Sequence, residues 1–509
     1  MSPYVRTVKT ASGARAVQIV HSSHRGSRDI EHVGSAHDDA ELELLKAAAR
    51  QRLQAGQGEF DLGLDQVGSP AQPGAALPIT STQMRHLTDA LTCAFTALSL
   101  DVAAGGNDVF AALVFARIIE PTSKLDSLRV LEEAGLAAPS YPTVKRHLPS
   151  FAADDFREAL SAVCANHAGL GPGVLVLYDV TTLYFETDVA DEFRVPGFSK
   201  ERRLEPQITV GLLVDAAGFP LMVRAFEGNK AETTTMLPTI EAFKAAHRLS
   251  DVTIVADAGM VSASNQAAIE AAGLTYILGA KVPNVPYQIE QWRKTHAGQD
   301  IPDGQVFTQP WPANAKERAA GQHDRTIFYQ YRADRARRTL RGIDEQIGKA
   351  EQAVAGKASV KRNRFVTLTG GDRAVNRDLE AKARALAGIK GYVTNLSNPT
   401  ADTAISAYHQ LWHVEKSFRM SKHYLQARPI YHRQRDSIEA HLTIVFAALA
   451  VSRWIENHTG WSIKRFVRTT RCYRTIEIQA GQQTINAADP LPADLHQALT
   501  AIRQAGRAH

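Results

Sequence analysis

The spacing of hydrophobic positions along the chain changes near residue 171. Before this point, apolar residues recur at helical spacing, as in MRHLTDALTCAFTALSL and NDVFAALVFARIIE, and this spacing predicts helices. After it, short apolar runs such as VLVLYDV and DVTIVADAG alternate with amphipathic helical segments. This alternation predicts an α/β fold, a mixed sheet flanked by helices, that follows a helical N-terminal region.

Changes of pattern also predict the segment boundaries. The chain begins with a hairpin that turns at Ser12 and Gly13, followed by the helix DDAELELLKAAARQRL and the linker GSPAQPGAALP. A later stretch, rich in Arg and Lys, interrupts the strand and helix alternation, so we expect an inserted subdomain that is not part of the sheet. The predicted segments are 1–79 (hairpin, helix and linker), 80–170 (helical), 171–284 (first part of the core), 285–385 (insertion), 386–458 (second part of the core) and 459–509 (C-terminal region).

Composition and charge restrict the class of protein. The 509 residues are 44% hydrophobic and 22% charged, which is typical of a globular protein with several domains. The net charge of +5 favours polyanionic partners without requiring them. Cys93, Cys164 and Cys472 are widely separated, which argues against a disulfide framework or a zinc finger and favours a reducing compartment. The N-terminus lacks an apolar signal segment and the longest apolar run is too short for a bilayer, so we expect a cytoplasmic protein without a membrane partner.

Two aspartates close apolar strands of the predicted core. Asp179 ends the run VLVLYD, and Asp257 ends DVTIVAD before a new helix. A buried carboxylate without a partner is costly, and the carboxyl ends of strands are the usual place for a site in an α/β sheet. The two aspartates could therefore face one crevice, although an aspartate at a strand end often simply turns toward solvent.

A glutamate, Glu415, interrupts the apolar stripe of a helix predicted from Asp402 to Leu425. Glutamate is seldom buried without a partner, so we expect this side chain to be paired or bound to a cation. An ion pair with Arg419, four residues on, is one explanation. The other is a cation held by Asp179, Asp257 and Glu415, since hard divalent ions such as Mg²⁺ take carboxylate oxygens and keep positions open for water and phosphate.

The stretches LYDVTTLYFE, IVADAGMVSASN and YHQLWHVEKSFRMSKHYLQARPIYH carry a resemblance to a known family. They resemble the DDE transposases of bacterial insertion sequences, in the branch with an insertion before the last acidic residue and a Tyr-Arg-Glu-Lys signature. The resemblance implies a ribonuclease-H-like core in which Asp179, Asp257 and Glu415 are the catalytic residues and the ligands of two Mg²⁺ or Mn²⁺ ions. It also implies metal-dependent cleavage at transposon ends, followed by strand transfer into target DNA.

The same resemblance gives roles to other residues. Tyr408 is the signature tyrosine and Lys422 the signature lysine, whereas Leu411 stands where the arginine is expected. Lys422 could contact a phosphate near the metal ions, or could be merely solvated. Arg419 could contact DNA in the same cleft, with the ion pair to the glutamate as its alternative. His441 could line that cleft or be an ordinary core histidine.

The resemblance further implies partners: double-stranded DNA with terminal inverted repeats, target DNA, and a second copy of the chain in a homodimeric synaptic complex. The insertion combines basic and aromatic residues, as expected of a DNA-gripping element with Trp311 as a stacking residue, or of an ordinary solvated basic face. The segment YPTVKRHL at 141–148 could belong to a helix-turn-helix-like reader of the repeats. A nuclease of the same fold that does not rejoin DNA, and a catalytically silent DNA-binding descendant, are the alternative functions.

Overall fold

The structure is a computed structural model that describes residues 4–10, 14–24, 27–36, 38–54, 77–170, 174–187, 189–197, 205–247, 252–258, 263–319, 321–357, 363–369, 372–428, 430–480 and 482–507. The chain divides into two units. The first comprises Met1–Thr80 and Glu477–Asn486, and the second comprises Ser81–Ile476 and Ala487–His509.

The first unit contains an antiparallel sheet packed against a helix. Its strands β1 (Tyr4–Lys9), β2 (Arg15–His24) and β3 (Ser27–Ala36) pair in that order, and helix α1 (Asp39–Gln54) follows. Val17 of β2 and Leu42 of α1 share its small core. The predicted pairing of the first two strands is confirmed. β3 was not predicted, because SRDIEHVGSA lacks a regular apolar alternation. The turn at Ser12 and Gly13, and residues 68–76 of the predicted linker, lie outside the described residues.

The helical region expected before residue 171 is present in the second unit. It comprises α2 (Arg85–Ala97), α3 (Leu100–Ala103), α4 (Asp108–Ile119), α5 (Ser127–Ala134), α6 (Tyr141–Ala152) and α7 (Asp154–His167). Several of these helices pack on a long helix near the C-terminus, α16 (Arg435–Thr459). The segment YPTVKRHL begins α6, where the Ser140 side chain caps the helix and Lys145 and Arg146 are exposed. A role for α6 in reading DNA remains a prediction.

The core is a mixed sheet flanked by helices, as predicted. Its strands are β5 (Val174–Tyr184), β6 (Gln207–Val214), β7 (Pro220–Glu227), β8 (Val252–Ala256), β9 (Thr275–Ala280), β10 (Val306–Trp311), β11 (Arg325–Tyr331) and β14 (Ile389–Thr394). Within the described residues, their order across the sheet is β10-β11-β14-β9-β8-β5-β6-β7. β8 is parallel to both β5 and β9, and the other neighbours are antiparallel. The order β7-β6-β5-β8-β9 with these directions is the ribonuclease-H-like arrangement.

The remaining elements connect and cover these strands. The helices are α8 (Glu232–His247), α9 (Ala263–Ala271), α10 (Tyr287–Thr295), α11 (Ala315–Ala319), α12 (Ala333–Val354), α13 (Arg377–Ala385), α14 (Ala401–His409), α15 (Trp412–Arg419), a π-helical turn (Met420–Tyr424), α17 (Ile463–Thr470) and α18 (Ala493–Arg507). The strands β12 (Val366–Thr369) and β13 (Asp372–Val375) form a hairpin, and β4 (Ile79–Gln83), β15 (Thr475–Ala480) and β16 (Gln483–Ala488) form a sheet in the order β16-β15-β4.

The expectation that 285–385 lies outside the sheet is wrong for its first half. β10 and β11 extend the sheet beyond β14, and Phe307 and Phe328 are buried in the main core. Pro310 made β10 hard to predict, but β10 is an edge strand, where a missing amide donor is tolerated. The second half differs, because α12, the β12–β13 hairpin and α13 share a separate small core around Ile347 and Phe365.

Helix α16 forms the centre of the second unit. It packs against α2, α4, α6, α18 and strand β7. By length and composition it could cross a membrane, but 94% of its most apolar stretch is buried inside the protein. This burial is what a core helix shows, and it explains why the middle of the helix, from Leu442 to Val451, is almost entirely apolar.

A buried arginine of α16, Arg453, is joined to the turn between β6 and β7. Its side chain is 3% exposed and donates to the carbonyl of Ala217 at 3.1 Å and of Gly218 at 3.2 Å, and it lies 3.4 Å from Glu456. The hydroxyl of Ser417 on α15 donates to the same Gly218 carbonyl at 2.8 Å. Gly218 has φ +84°, and a Cβ there would lie 2.3 Å from the Arg453 guanidinium. The β6–β7 turn, α15 and α16 are therefore connected through hydrogen bonds to one buried carbonyl, that of Gly218.

We expect Arg453→Met to lower the free energy of unfolding by about 3 kcal/mol, because it removes two buried hydrogen bonds to the Ala217 and Gly218 carbonyls and the ion pair with Glu456. Urea unfolding of the purified chain measures this effect. Arg465→Met is the matched control, since Arg465 is half exposed in its ion pair with Asp494 and such pairs contribute about 0–1 kcal/mol. Equal losses in the two variants would contradict a special role for the buried arginine.

Candidate active site

Asp179 and Asp257 lie on neighbouring parallel strands. The register pairs Leu177 of β5 with Val255 of β8, so two residues further on Asp179 stands opposite Asp257. The expectation that Asp179 ends its strand is wrong: it lies half-buried within β5, because the strand continues to Tyr184 in antiparallel pairing with β6. One of its carboxylate oxygens accepts the Val180 amide at 2.8 Å. Asp257 directly follows β8 and is exposed. Since the strands are parallel and in register, both aspartates belong to the same end and the same face of the sheet.

Tyr408, the signature tyrosine, holds Asp257. Its hydroxyl donates a hydrogen bond to the Asp257 carboxylate, and its ring is buried. Burial raises the pKa of Tyr408, and the bond to Asp257 raises it further. Tyr408 can approach only because residue 279 of β9 is a glycine: a Cβ there would lie 2.8 Å from the tyrosine oxygen and 2.9 Å from the amide nitrogen of Ala258.

The helix that carries Glu415 differs from the continuous helix predicted over 402–425. It consists of α14, a tight turn at Gln410 and Leu411, α15 and the π-helical turn. Backbone hydrogen bonds at the tight turn span three residues instead of four, as in the 3.1 Å bond from the Leu411 amide to the Tyr408 carbonyl. These changes of winding rotate the apolar stripe. The inward face predicted for Glu415 is therefore wrong: its side chain is exposed, whereas its neighbour Val414 is buried.

α15 nonetheless brings Glu415 over the strand that carries Asp179. The helix packs on β5 and β6. Phe418 of α15 and Lys422 of the π-helical turn line a cavity together with Thr181 of β5. Side chains alternate along a strand, so Thr181 is on the same face as Asp179. Between the described side chains of Glu415 and Arg419 no ion pair forms, so the structure does not support that explanation for the glutamate.

A lysine that the sequence did not point to, Lys390, is within electrostatic range of two of the acidic residues. Lys390 begins β14, the strand that returns to the end of the sheet where β9 finishes. Its ammonium is 4.3 Å from the centre of the Tyr408 ring. Burial lowers the pKa of Lys390, while the negative charges of Asp257 and Glu415 partly offset this effect. Asp257 and Glu415 are thus both close enough to act on the same ammonium group.

The insertion supplies a second cation near Lys390. Arg335, in the first turn of α12, donates to the carbonyls of Gln330 at 3.3 Å and Gly388 at 3.4 Å. Burial lowers the pKa of His409 on α14, and the nearby charges of Lys390 and Arg335 lower it further. Little in the sequence indicated these two residues. Lys390 is a single lysine before the apolar run GYVT, and Arg335 is one of several arginines in the insertion.

The other predicted site residues differ in their burial and in their place in the fold. Lys422 is half-buried beside β5, and Leu411 is buried at the tight turn, where an arginine would have to enter the core. Arg419 is exposed on α15. His441 is 4% exposed inside α16, so it is a core histidine and not a cleft residue. Trp311 is 47% exposed but ends β10, at the opposite end of the sheet from Asp257. Any DNA contact of Trp311 would be outside this site.

The three carboxylates have the donor chemistry that a hard divalent cation prefers, and each is at least partly accessible. Among the described residues, however, no three Asp, Glu, His or Cys side chains stand close enough together to hold a metal ion. One Asp257 oxygen is engaged by Tyr408. The donor set therefore fits Mg²⁺ or Mn²⁺ in kind, without forming a closed cluster.

The sheet order, with one aspartate within β5 and another directly after the neighbouring parallel strand β8, defines the class of ribonuclease-H-like proteins. The sequence matches the model of the transposase DDE domain family over residues 171–451, more than half of the chain, and the protein belongs to this family. Among solved structures, a piggyBac transposase in a synaptic complex with hairpin DNA matches at 11% identity and a TM-score of 0.36, over 76% of this chain and 70% of that one. No curated protein matches the chain.

We expect Gly279→Ala to lower the free energy of unfolding by about 1–3 kcal/mol, because the new methyl group collides with the Tyr408 hydroxyl and the Ala258 amide. Thermal unfolding measures the change. In the Tyr408→Phe background the same substitution should cost less, since the colliding oxygen is gone. Gly348→Ala, in an open position on α12, is the control and should stabilise by up to about 1 kcal/mol. An identical cost of Gly279→Ala in both backgrounds would contradict the contact.

Proposed function

We propose that this protein cleaves DNA at transposon ends and transfers the freed strand into target DNA, with Asp179, Asp257 and Glu415 as catalytic residues. The observation that carries the proposal is the pairing of β5 and β8, which brings the two aspartates to one end of a ribonuclease-H-like sheet. The packing of α15 on β5 supports the inclusion of Glu415. Membership of the DDE transposase family supports the reaction.

Members of this family generally use divalent metal ions, and we propose that the three carboxylates hold Mg²⁺ or Mn²⁺. Such ions, when bound, activate the attacking oxygen of water or a 3′-hydroxyl and stabilise the leaving oxygen. Three carboxylates repel one another when no cation is present, so a separation between them is compatible with this role.

The surrounding residues support the same chemistry. Tyr408 donates to one oxygen of Asp257 and so fixes the orientation of the carboxylate, which leaves its other oxygen for a ligand. Lys390 is within electrostatic range of Asp257 and Glu415, and a scissile phosphate would lie near these carboxylates. We propose that Lys390 attracts this phosphate. A cation next to several carboxylates also limits the repulsion between them and the incoming DNA backbone.

The DNA partners belong to the same proposal. We expect the basic first turn of α12, with Arg335, to follow the DNA backbone beside the active site, because it adjoins Lys390 at the same end of the sheet. The exposed Lys145 and Arg146 of α6 are candidates for contact with the terminal repeats. A homodimeric synaptic complex would let two such sites act on the two transposon ends.

We expect Asp179→Asn, Asp257→Asn and Glu415→Gln each to abolish cleavage of DNA that carries the ends of the element, with DNA binding retained, because each change removes a metal-binding charge and keeps the side-chain shape. The assay uses Mg²⁺ or Mn²⁺, and joined products with target DNA distinguish a transposase from a nuclease. Asp402→Asn, an exposed carboxylate on α14, is the matched control and should cleave normally. Wild-type cleavage by any of the three variants removes that residue from the site.

Lys422 and Glu415 should affect DNA binding differently. If Lys422 contacts a phosphate, Lys422→Ala should weaken binding to every sequence and make the slope of log K against log salt shallower by about one. Glu415→Gln should bind as tightly as wild type or slightly more tightly, since a negative charge near the phosphate is gone. Titrations at several salt concentrations without divalent metal measure both. An unchanged slope for Lys422→Ala would show that this lysine does not touch DNA.

A further inference from the structure

A cluster of basic side chains is buried at a distance from the carboxylates, and nothing above uses it. Arg117 of α4 and Lys124, shortly after this helix, are each 5% exposed. His441 of α16 lies against Lys124, and His432 lies before α16 at a ring distance of 5.7 Å from His441. Among the described residues, no carboxylate forms an ion pair with Arg117 or Lys124. We call these four residues the buried basic cluster.

The hydrogen bonds within the buried basic cluster leave most of its donors free. Nε2 of His441 is 3.2 Å from the carbonyl of Ala427, which can only accept, so this nitrogen carries the proton. Nδ1 of His441 then accepts from Lys124 at 3.4 Å. The Arg117 guanidinium makes no hydrogen bond to any described residue, although it has five N–H groups. An arginine buried in this way is rare, because desolvation of a cation is costly without a partner.

Within the buried basic cluster, burial and the neighbouring positive charges lower the pKa values of the basic side chains. Burial lowers the pKa of Arg117 to about 10, which leaves it charged at neutral pH. Burial and the charge of Arg117 lower the pKa of Lys124 well below its usual range. Burial, with Lys124 and Arg117 nearby, lowers the pKa of His432 to about 4. The lowered pKa values show that further positive charge is unfavourable at this site, and no described carboxylate forms an ion pair that would offset the charge of Arg117.

Arg453 provides the contrast within the same chain. It is as deeply buried as Arg117, but it has an ion pair and two carbonyl acceptors. Arg453 thus has its partners within the described residues, whereas Arg117 has none there, so the Arg117 guanidinium can bind a group from outside the chain. A group with several acceptor oxygens and a negative charge matches five guanidinium donors and an ammonium.

We propose that the buried basic cluster is an oxyanion site that binds a phosphate group through Arg117 and Lys124. A cavity of about 330 Å³ is lined by Ile118, the residue after Arg117, and by Gln426, the residue before Ala427. Its lining also includes two cations of α17 and a third directly after this helix. These cations, Lys464, Arg468 and Arg471, would draw an anion toward the cavity. The phosphate could be inorganic or part of the DNA backbone, and only the latter source rests on the proposed function.

The first test is binding of inorganic phosphate to the full chain. Titration calorimetry at constant ionic strength should show saturable binding of phosphate but not of chloride, and phosphate should raise the unfolding temperature by a few degrees. Phosphate also stabilises proteins without specific binding, so variants must accompany the measurement. Absence of saturable phosphate binding to the wild-type chain overturns the proposal, whether or not any variant folds.

Arg117→Met and Arg453→Met form the matched pair of variants. Without phosphate, Arg117→Met should unfold at the same temperature as wild type or higher, because it removes an unpaired buried charge, whereas Arg453→Met should unfold at a lower temperature. Arg117→Met should bind phosphate at least about tenfold more weakly, whereas Arg453→Met should bind it as wild type does. Equal phosphate affinity of Arg117→Met and wild type overturns the proposal. Lys124→Met is the second variant and should also weaken binding.

The second test distinguishes the two sources of phosphate. Binding of a short mixed-sequence duplex is measured at several salt concentrations without divalent metal. If the ligand is a DNA phosphate, Arg117→Met makes the slope of log K against log salt shallower by about one, and inorganic phosphate competes with the duplex. If phosphate binds but the slope is unchanged, the site takes the free anion. Because no cleavage is measured, a failure of the catalytic proposal leaves both results interpretable.

Discussion

A single buried carbonyl group, that of Gly218, connects the parts of the protein on which the active site depends. It accepts hydrogen bonds from Ser417 on α15 and from Arg453 on α16. The turn that carries it joins two strands of the ribonuclease-H-like sheet, so the sheet, the glutamate helix and the central helix share one contact point. Ser417 is two residues from Glu415, and a shift of this turn would therefore move the glutamate relative to Asp179.

The site is assembled by parts that are remote in sequence. β5 and β8 supply aspartates in register, β14 brings Lys390 to the same end of the sheet, and α14 supplies the tyrosine that orients Asp257. The last of these connections relies on a close approach at Gly279, where a Cβ would lie 2.8 Å from the Tyr408 hydroxyl. The geometry of the acidic residues is consequently a property of the whole sheet and not of a local motif.

The sequence predicts those features that depend on local patterns. Continuous apolar runs identified β5 and β8, and with them Asp179 and Asp257, because buried parallel strands lack polar alternation. The place of Lys390 could not be predicted, since it follows from antiparallel pairing of β14 with β9 across the insertion. The exposure of Glu415 could not be predicted from the apolar pattern either, because no glycine or proline marks the change of helical winding at Leu411. Arg117 is the one basic residue in the apolar segment FAALVFARIIE. Whether it has a partner depends on the tertiary structure and cannot be predicted from the sequence.

The division of 285–385 into two structurally different halves determines how the segment could vary during evolution. The half that contains α12, the β12–β13 hairpin and α13 has its own small core, so it could be shortened, exchanged or lost with limited effect on the sheet. The half with β10 and β11 could not, because its removal would leave β14 as an open edge with unpaired backbone groups. Relatives that differ in length should therefore differ between α12 and α13, and an exposed β14 would invite pairing with other chains and aggregation.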